Sequence, residues 1–186
     1  KRDWSSDVCS SDLGVSANET NATTSLTIKG TDISLTPNTS AVRLGHGIGA
    51  NGPGDISVIA TGNIVLNNTG SGNAVIRTTG NVLLSAVGAG KSITENASAL
   101  IIGNNLTAIA DAGITLDGTN NAVANFAAQN NSSGAIALTN GVALSIFNDA
   151  GNSVNGVINS GRNVTLNNTG AVTQTAPITA GGLELL

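Results

Sequence analysis

The feature that most constrains this chain is a train of short alternating segments recurring at a near-constant step. "DISLT" (32–36), "DISVIA" (55–60), "NVLLSAV" (81–87), "AGITL" (112–116), "AIALT" (135–139), "VALSIF" (142–147) and "NVTL" (163–166) each alternate apolar and polar residues. Alternation with β-branched residues, bounded by Gly and Asn, is the signature of half-buried strands. The phrases "GNIVLNNTG" (62–70) and "RNVTLNNTG" (162–170) announce internal repetition directly. No helical period competes, and Gly, Asn, Thr and Val are poor helix formers.

The apolar strand centres fall on two interleaved ladders. One runs Ile33, Ile56, Val75, Ile93, Ile114, Ile136, Val157, Ile178; the other runs Ile64, Val82, Ile101, Val123, Leu144, Val164, Leu183. Both step by about 20 residues, the length of one solenoid turn with at least two strands. A coil of that size cannot bury its own apolar face, so the pattern predicts stacking into continuous parallel sheets. The predicted fold is all-β: a parallel β-helix solenoid of about 20 residues per coil. Phe126 and Phe147, 21 apart, are predicted to lie one above the other. Seven or so coils at the ~4.8 Å inter-strand spacing make a rod roughly 35 Å long. The competing architecture is an antiparallel sandwich or barrel with strands every ~8–12 residues. Few tight hairpin signals support it, and its core would normally use more aromatic residues than the 2% present.

Residues 3–13, "DWSSDVCSSDL", stand apart and contain the only Trp (Trp4) and the only Cys (Cys9). This stretch resembles the translated sequence of a common DNA sequencing adapter, read codon by codon; a genuine acidic terminus is the alternative. Such scars are set aside before fold reasoning. The expected organisation is therefore a non-native tail at 1–13, a disordered or irregular lead-in at 14–24 and a repeat segment at 25–186, a fragment of a longer shaft.

Composition excludes several function classes. Forty per cent of the residues are hydrophobic, too many for a disordered chain. The net charge is −4 and the seven Lys and Arg are scattered, which argues against nucleic acid. No apolar run approaches the ~20 residues of a membrane-spanning helix, so no membrane insertion is expected. One Cys allows neither an internal disulfide framework nor a Cys-based zinc site.

The stretches "GDISVIATGNIVLNNTG", "ADAGITLDGTNNAV" and "GAIALTNGVALSIFNDAG" resemble the repeat region of large bacterial exoproteins, the filamentous-haemagglutinin-like adhesins of two-partner secretion and their autotransporter relatives. The resemblance covers residues 25–186. It implies a long right-handed β-helical shaft, secreted through an outer-membrane transporter to the surface of a Gram-negative cell. It also implies adhesion to host or neighbouring-cell surface molecules through other parts of the full protein, with adjacent coils as this segment's own neighbours. The family's Asn-Pro-Asn secretion motif is not matched by "TPNTS" (36–40).

Catalytic and binding motifs fare poorly. "SAVGAGKS" (85–92) has the Gly-Lys-Ser of a phosphate-binding loop, but Ser85 replaces the first Gly and a strand is predicted after it, not a helix. "GHGIGANG" (45–52) holds Gly47, Gly49 and Gly52 in dinucleotide spacing without the strand–turn–helix setting. "NGPGDISVI" faintly resembles a calcium-binding nonapeptide, which works only in tandem. His46, the sole His, builds neither a triad nor a metal site. The carboxylate pairs Glu95/Asp117 and Asp32/Asp55, about one coil apart, are the spacing a β-helical polysaccharide lyase or hydrolase would use. The sugar platforms and basic residues of such a groove are nearly absent. Sequons such as Asn18, Asn38, Asn67, Asn96 and Asn163 arise by chance in a chain this rich in Asn, Ser and Thr.

The expectation is thus a non-enzymatic shaft segment of a secreted surface protein, with no catalytic, cofactor-binding or metal site of its own. A sugar-cleaving enzyme and a self-associating surface-layer or biofilm matrix protein are the alternatives.

Overall fold

The computed structural model describes residues 15–16, 25–37, 41–45, 52–67 and 71–186. Trp4, Cys9 and His46 lie outside the described residues, as do Gly47 and Gly49 and all of the 14–24 lead-in except a two-residue strand at Val15–Ser16. Among the described residues there is no helix, and seventeen strands form one sheet in which every pairing is parallel. The chain is a parallel β-helix, not an antiparallel sandwich.

Three faces surround the core. The first carries Leu26–Gly30, Ile56–Ala60 and Asn81–Ala86, then the later parts of Leu100–Ala110 and Ala122–Asn130. The second carries Ile33–Leu35, Ile64–Leu66, Ile93–Glu95, Ile114–Leu116 and Ile136–Asn140. The third carries Val42–Gly45 and Ala74–Arg77, then the start of Leu100–Ala110. Leu100–Ala110 bends around one corner: residues 100–102 pair on the third face and 105–110 on the first. The long Val157–Asn168 and Ile178–Leu185 strands likewise turn the corner from the first face to the second, through a register shift between Asn159 and Asn163.

Register converts sequence alternation into columns, because side chains two apart share a face. On the second face one column reads Ile33, Ile64, Ile93, Ile114, Ile136, Val164, Leu183. On the first face another reads Leu26, Ile56, Val82, Leu106, Phe126, Ile146. From Ile56 to Ile146 this first-face column is at most 1% exposed. Each fully buried Val, Leu, Ile or Phe contributes about 1.5–3 kcal/mol relative to an exposed one. Because each core side chain is covered by the coils on both sides, Leu183 and Leu185 in the last coil are 49% and 55% exposed although they continue the columns.

Coil length varies more than the sequence ladder implies. Ile93, Ile114 and Ile136 stack at steps of 21 and 22, as expected; Val157 with Ile178 and Val164 with Leu183 also stack as expected, at steps of 21 and 19. Elsewhere the turns are longer. Ile33 pairs with Ile64 rather than lying beneath Ile56, and Ile56 pairs with Val82, because the early coils carry extended turns. Phe126 pairs with Ile146, so Phe147 is one residue past the predicted stack. A one-residue offset reverses the facing of a strand residue; Phe126 is fully buried while Phe147 is half-buried. Between Ile146 and Val157 the chain leaves the coil as a small antiparallel hairpin, Asn148–Asp149 with Val154–Asn155, then resumes against Ala128.

Glycine is required at two corners where a positive φ coincides with a close backbone approach. Gly134 has φ of 82°, and a Cβ there would lie 2.7 Å from the Ala112 carbonyl oxygen. Gly156, which returns the excursion to the coil, has φ of 84°, and a Cβ would overlap the Pro177 carbonyl. Both conditions exclude L-residues with side chains.

Candidate functional site

The polar groups of the interior sit at the corners. Asn130 accepts from the Gly113 amide at 2.8 Å and donates to the Ser133 carbonyl at 2.7 Å and to Asn159 Oδ1 at 2.9 Å. Asn140 accepts from the Val123 amide at 2.9 Å and donates to Asn168 Oδ1 at 2.9 Å. Both are nearly fully buried. Such asparagines satisfy backbone groups that the turning chain cannot pair, and link each coil to the next. The repeated L-N-N-T-G phrase supplies ladder members: Asn67 accepts from Asn96, and Asn168 from Asn140. A second ladder on the outer surface joins Asn81, Asn105 and Asn125, each link 2.8 Å.

One corner departs from this scheme. The second-face column Leu35, Leu66, Glu95, Leu116, Leu138, Leu166, Leu185 substitutes a carboxyl for leucine in one coil. Glu95 is 4% exposed. Its Oε2 accepts from Asn121 Nδ2 at 2.7 Å and from the Gly118 amide at 3.1 Å. Its Oε1 is buried without a hydrogen-bond partner in the protein. Asn121, itself fully buried, accepts the Ile101 amide at 2.6 Å, so the carboxyl is tied to the start of the next strand. Burial pushes the Glu95 carboxyl up to about 7; the Asn121 and Gly118 bonds pull it down by less, and repulsion from Asp117 adds to the rise.

This arrangement places the sequence-predicted carboxylates. Glu95 and Asp117 do come together, one residue off register, since Glu95 pairs with Leu116. Yet Glu95 faces the core and Asp117 is exposed, so the two do not line one outer groove. Asp32 and Asp55 remain apart. Asp32 accepts the Asn63 amide at 2.7 Å and Asp55 the Asn81 amide at 2.8 Å, each capping the turn of a neighbouring coil. The "SAVGAGKS" stretch ends one strand at Ala86 and turns, with the Lys91 amide donating to the Gly88 carbonyl, into the strand at Ile93. No helix follows, so the phosphate-loop geometry is not formed. In "NGPGDISVI", Gly54 and Asp55 lead into the strand Ile56–Ala60.

Two further places carry polar chemistry. The excursion at 147–156 is pinned by Asp149, which accepts from Asn152 Nδ2 at 2.7 Å and from Thr107 Oγ1 at 2.5 Å. Partial burial raises this carboxyl, but the hydrogen bonds from Asn152, Thr107 and the 151–152 amides outweigh it and hold it below the ordinary aspartate value. The excursion covers the outer side of the first face, where Thr107 is 2% exposed. On the third face a depression of about 250 Å³ is lined by Arg43, Asn73, Val75, Arg77 and Leu100 among others. Among the described residues no three His, Cys, Asp or Glu side chains are grouped to hold a metal ion.

Sequence reasoning paired Glu95 with Asp117 from their spacing but missed Asn121 and the inward facing of Glu95. The signal was the Leu column, readable only once register is known. It missed the Asp149–Thr107 link, which joins residues 42 apart.

The fold and its sites define a class: a parallel β-helical repeat protein with asparagine-lined corners and a single carboxyl in its leucine column. Compared with known proteins, the chain matches no family model, no curated protein and no solved structure.

Proposed function

We propose that this chain is a non-enzymatic shaft segment of a secreted surface protein, a rod that holds adhesive parts away from the cell. The observation that carries the reading is the unbroken seven-member column from Ile33 to Leu183. Successive parallel strands along one axis give length and stiffness. The outward column beside it, Ser34, Val65, Thr94, Thr115, Ala137, Thr165 and Glu184, is built of small and mostly uncharged side chains. Such a face offers a hydrophilic coat and no strong charge for a ligand to read. The sugar-cleaving alternative needs two carboxyls facing one substrate ~5–10 Å apart. Of the two pairs that spacing suggested, Glu95/Asp117 has one member inside the core, where no polysaccharide chain reaches, and Asp32 and Asp55 each cap a different turn.

The test is made on the cells that produce the protein. An antibody raised against residues 52–186 labels intact cells if the segment projects from the surface; label only after permeabilisation overturns the reading. In the same cells, replacing the segment with an equal number of unrelated β-helical coils preserves adhesion if it is a spacer. Loss of adhesion on that exchange assigns the binding to the segment itself.

A further inference from the structure

We infer that the coil around Glu95 is a proton-gated joint in the rod: turn 96–99 and the 117–121 corner close fully only over a protonated carboxyl. The geometry assigns this role before any titration is considered. Leu66 lies below Glu95 and Leu116 above it, so the carboxyl occupies a site that the flanking coils fill with a neutral branched side chain. Oε2 has both available donors, and Oε1 has none. A Cβ on Gly118 would fall 2.7 Å from Oε1, so the corner backbone is packed directly against that oxygen. An ionised oxygen there has no donor within the protein, the condition under which a buried charge is expelled or neutralised.

The charged surroundings point the same way. Strands Ile64–Leu66 and Ile114–Leu116 and turn 96–99 carry no ionisable side chain. Corner 117–121 brings Asp117, whose negative charge opposes ionisation of Glu95. The cover over the site is thin: Ala97 and Ser98 are exposed, and beneath them Ala99 is buried. Opening that turn would admit water to the carboxylate. Its consequence is directional, because Asn121 bonds both Glu95 and the Ile101 amide. Release of Glu95 therefore frees the start of Leu100–Ala110, the strand that begins on the third face and bends onto the first.

The sign follows from linkage. A solvated Glu95 loses its proton near the ordinary value of 4.5, whereas the closed coil holds it to about 7. Closure is therefore favoured fully below pH 4.5, weakens as pH rises toward 7, and changes little above that. Between pH 5 and 8 the opening equilibrium should rise on the order of 10- to 100-fold.

The experiment is amide hydrogen exchange on the whole chain at pH 5 and 8, divided by intrinsic rates, with a carbon-13 titration of the Glu95 carboxyl. The expected result is an exchange increase of that order at the Ile101 and Gly118 amides, abolished in Glu95→Gln, with the carboxyl titrating near 7. An equal increase at the Ile158 amide means the whole stack opens and overturns the local joint. An undiminished increase in Glu95→Gln overturns it as well. If Glu95→Gln does not fold, the wild-type titration decides: a midpoint near 4.5 sinks the proposal.

Discussion

Glu95 and Asp149 have nearly the same first partner and opposite behaviour. Each accepts a side-chain amide at 2.7 Å, from Asn121 and Asn152 respectively. Glu95 is nevertheless raised to about 7, while Asp149 is lowered. The difference is what lies behind the hydrogen bond. Glu95 sits in a leucine column, where desolvation exceeds anything two donors return. Asp149 sits on the outside, with the Thr107 hydroxyl and turn amides converging on a carboxylate that keeps contact with water. Interior and exterior of one thin rod thus respond to pH with opposite sign. Acid favours the Glu95 coil. The Asp149 contribution is present above the unfolded aspartate value of 3.8 and is lost as pH falls through its lower folded value.

The contrast can be broken or sharpened in four ways, from the largest effect down. Phe126→Ala removes the largest fully buried side chain and should cost about 3–5 kcal/mol, read by denaturant titration. The loss should be equal at pH 5 and 8, since nothing titratable is removed; a pH-dependent loss would place a charge in the core column that the structure does not contain. Asn121→Ala strands the Ile101 amide and the Glu95 carboxyl together. A loss of roughly 2–4 kcal/mol is expected from two unsatisfied buried groups, larger at pH 8 than at pH 5. Gly118→Ala drives a methyl group against Glu95 Oε1 and the Ala99 carbonyl, at 2.7 and 2.5 Å. It should destabilise by about 1–3 kcal/mol. A neutral outcome would mean that the corner is looser than the contacts state. Asp149→Asn acts only outside the coil. It should cost about 0.5–1.5 kcal/mol at pH 7 and less as pH falls below 3.8, with faster exchange at the Asn152 amide and none of the Ile101 response.

The same contrast marks what was legible in the sequence. Alternation and Gly/Asn punctuation were enough to read strands, a parallel stack and the middle register from Ile93 to Ile136, because those coils have nearly equal turns. The early ladder slipped, since extended turns put Ile64 rather than Ile56 over Ile33. The Phe pair missed by one residue because Ile146, not Phe147, lies opposite Phe126. Spacing brought Glu95 next to Asp117, but facing depends on parity within a strand, and parity is lost when the strand boundary shifts by one. Asp149 and Thr107 meet only because the chain leaves the coil and folds back over it, a path no periodicity encodes. The apolar residues of a repeat thus announce its fold; its polar exceptions need the register.

All of this rests on the stack itself. Ser34 and Glu184 are the exposed ends of one second-face outer column, linked through Val65, Thr94, Thr115, Ala137 and Thr165. Six inter-strand steps separate them, about 29 Å at the ~4.8 Å spacing of neighbouring strands. Spin labels on Ser34→Cys and Glu184→Cys, with Cys9→Ser to remove the one other thiol, make this distance measurable by pulsed electron resonance. Stacked coils give one narrow distribution centred about 30 Å, broadened only by the label arms. A distribution centred below about 20 Å, or one spread across the whole measurable range, would contradict a single axis of stacked coils.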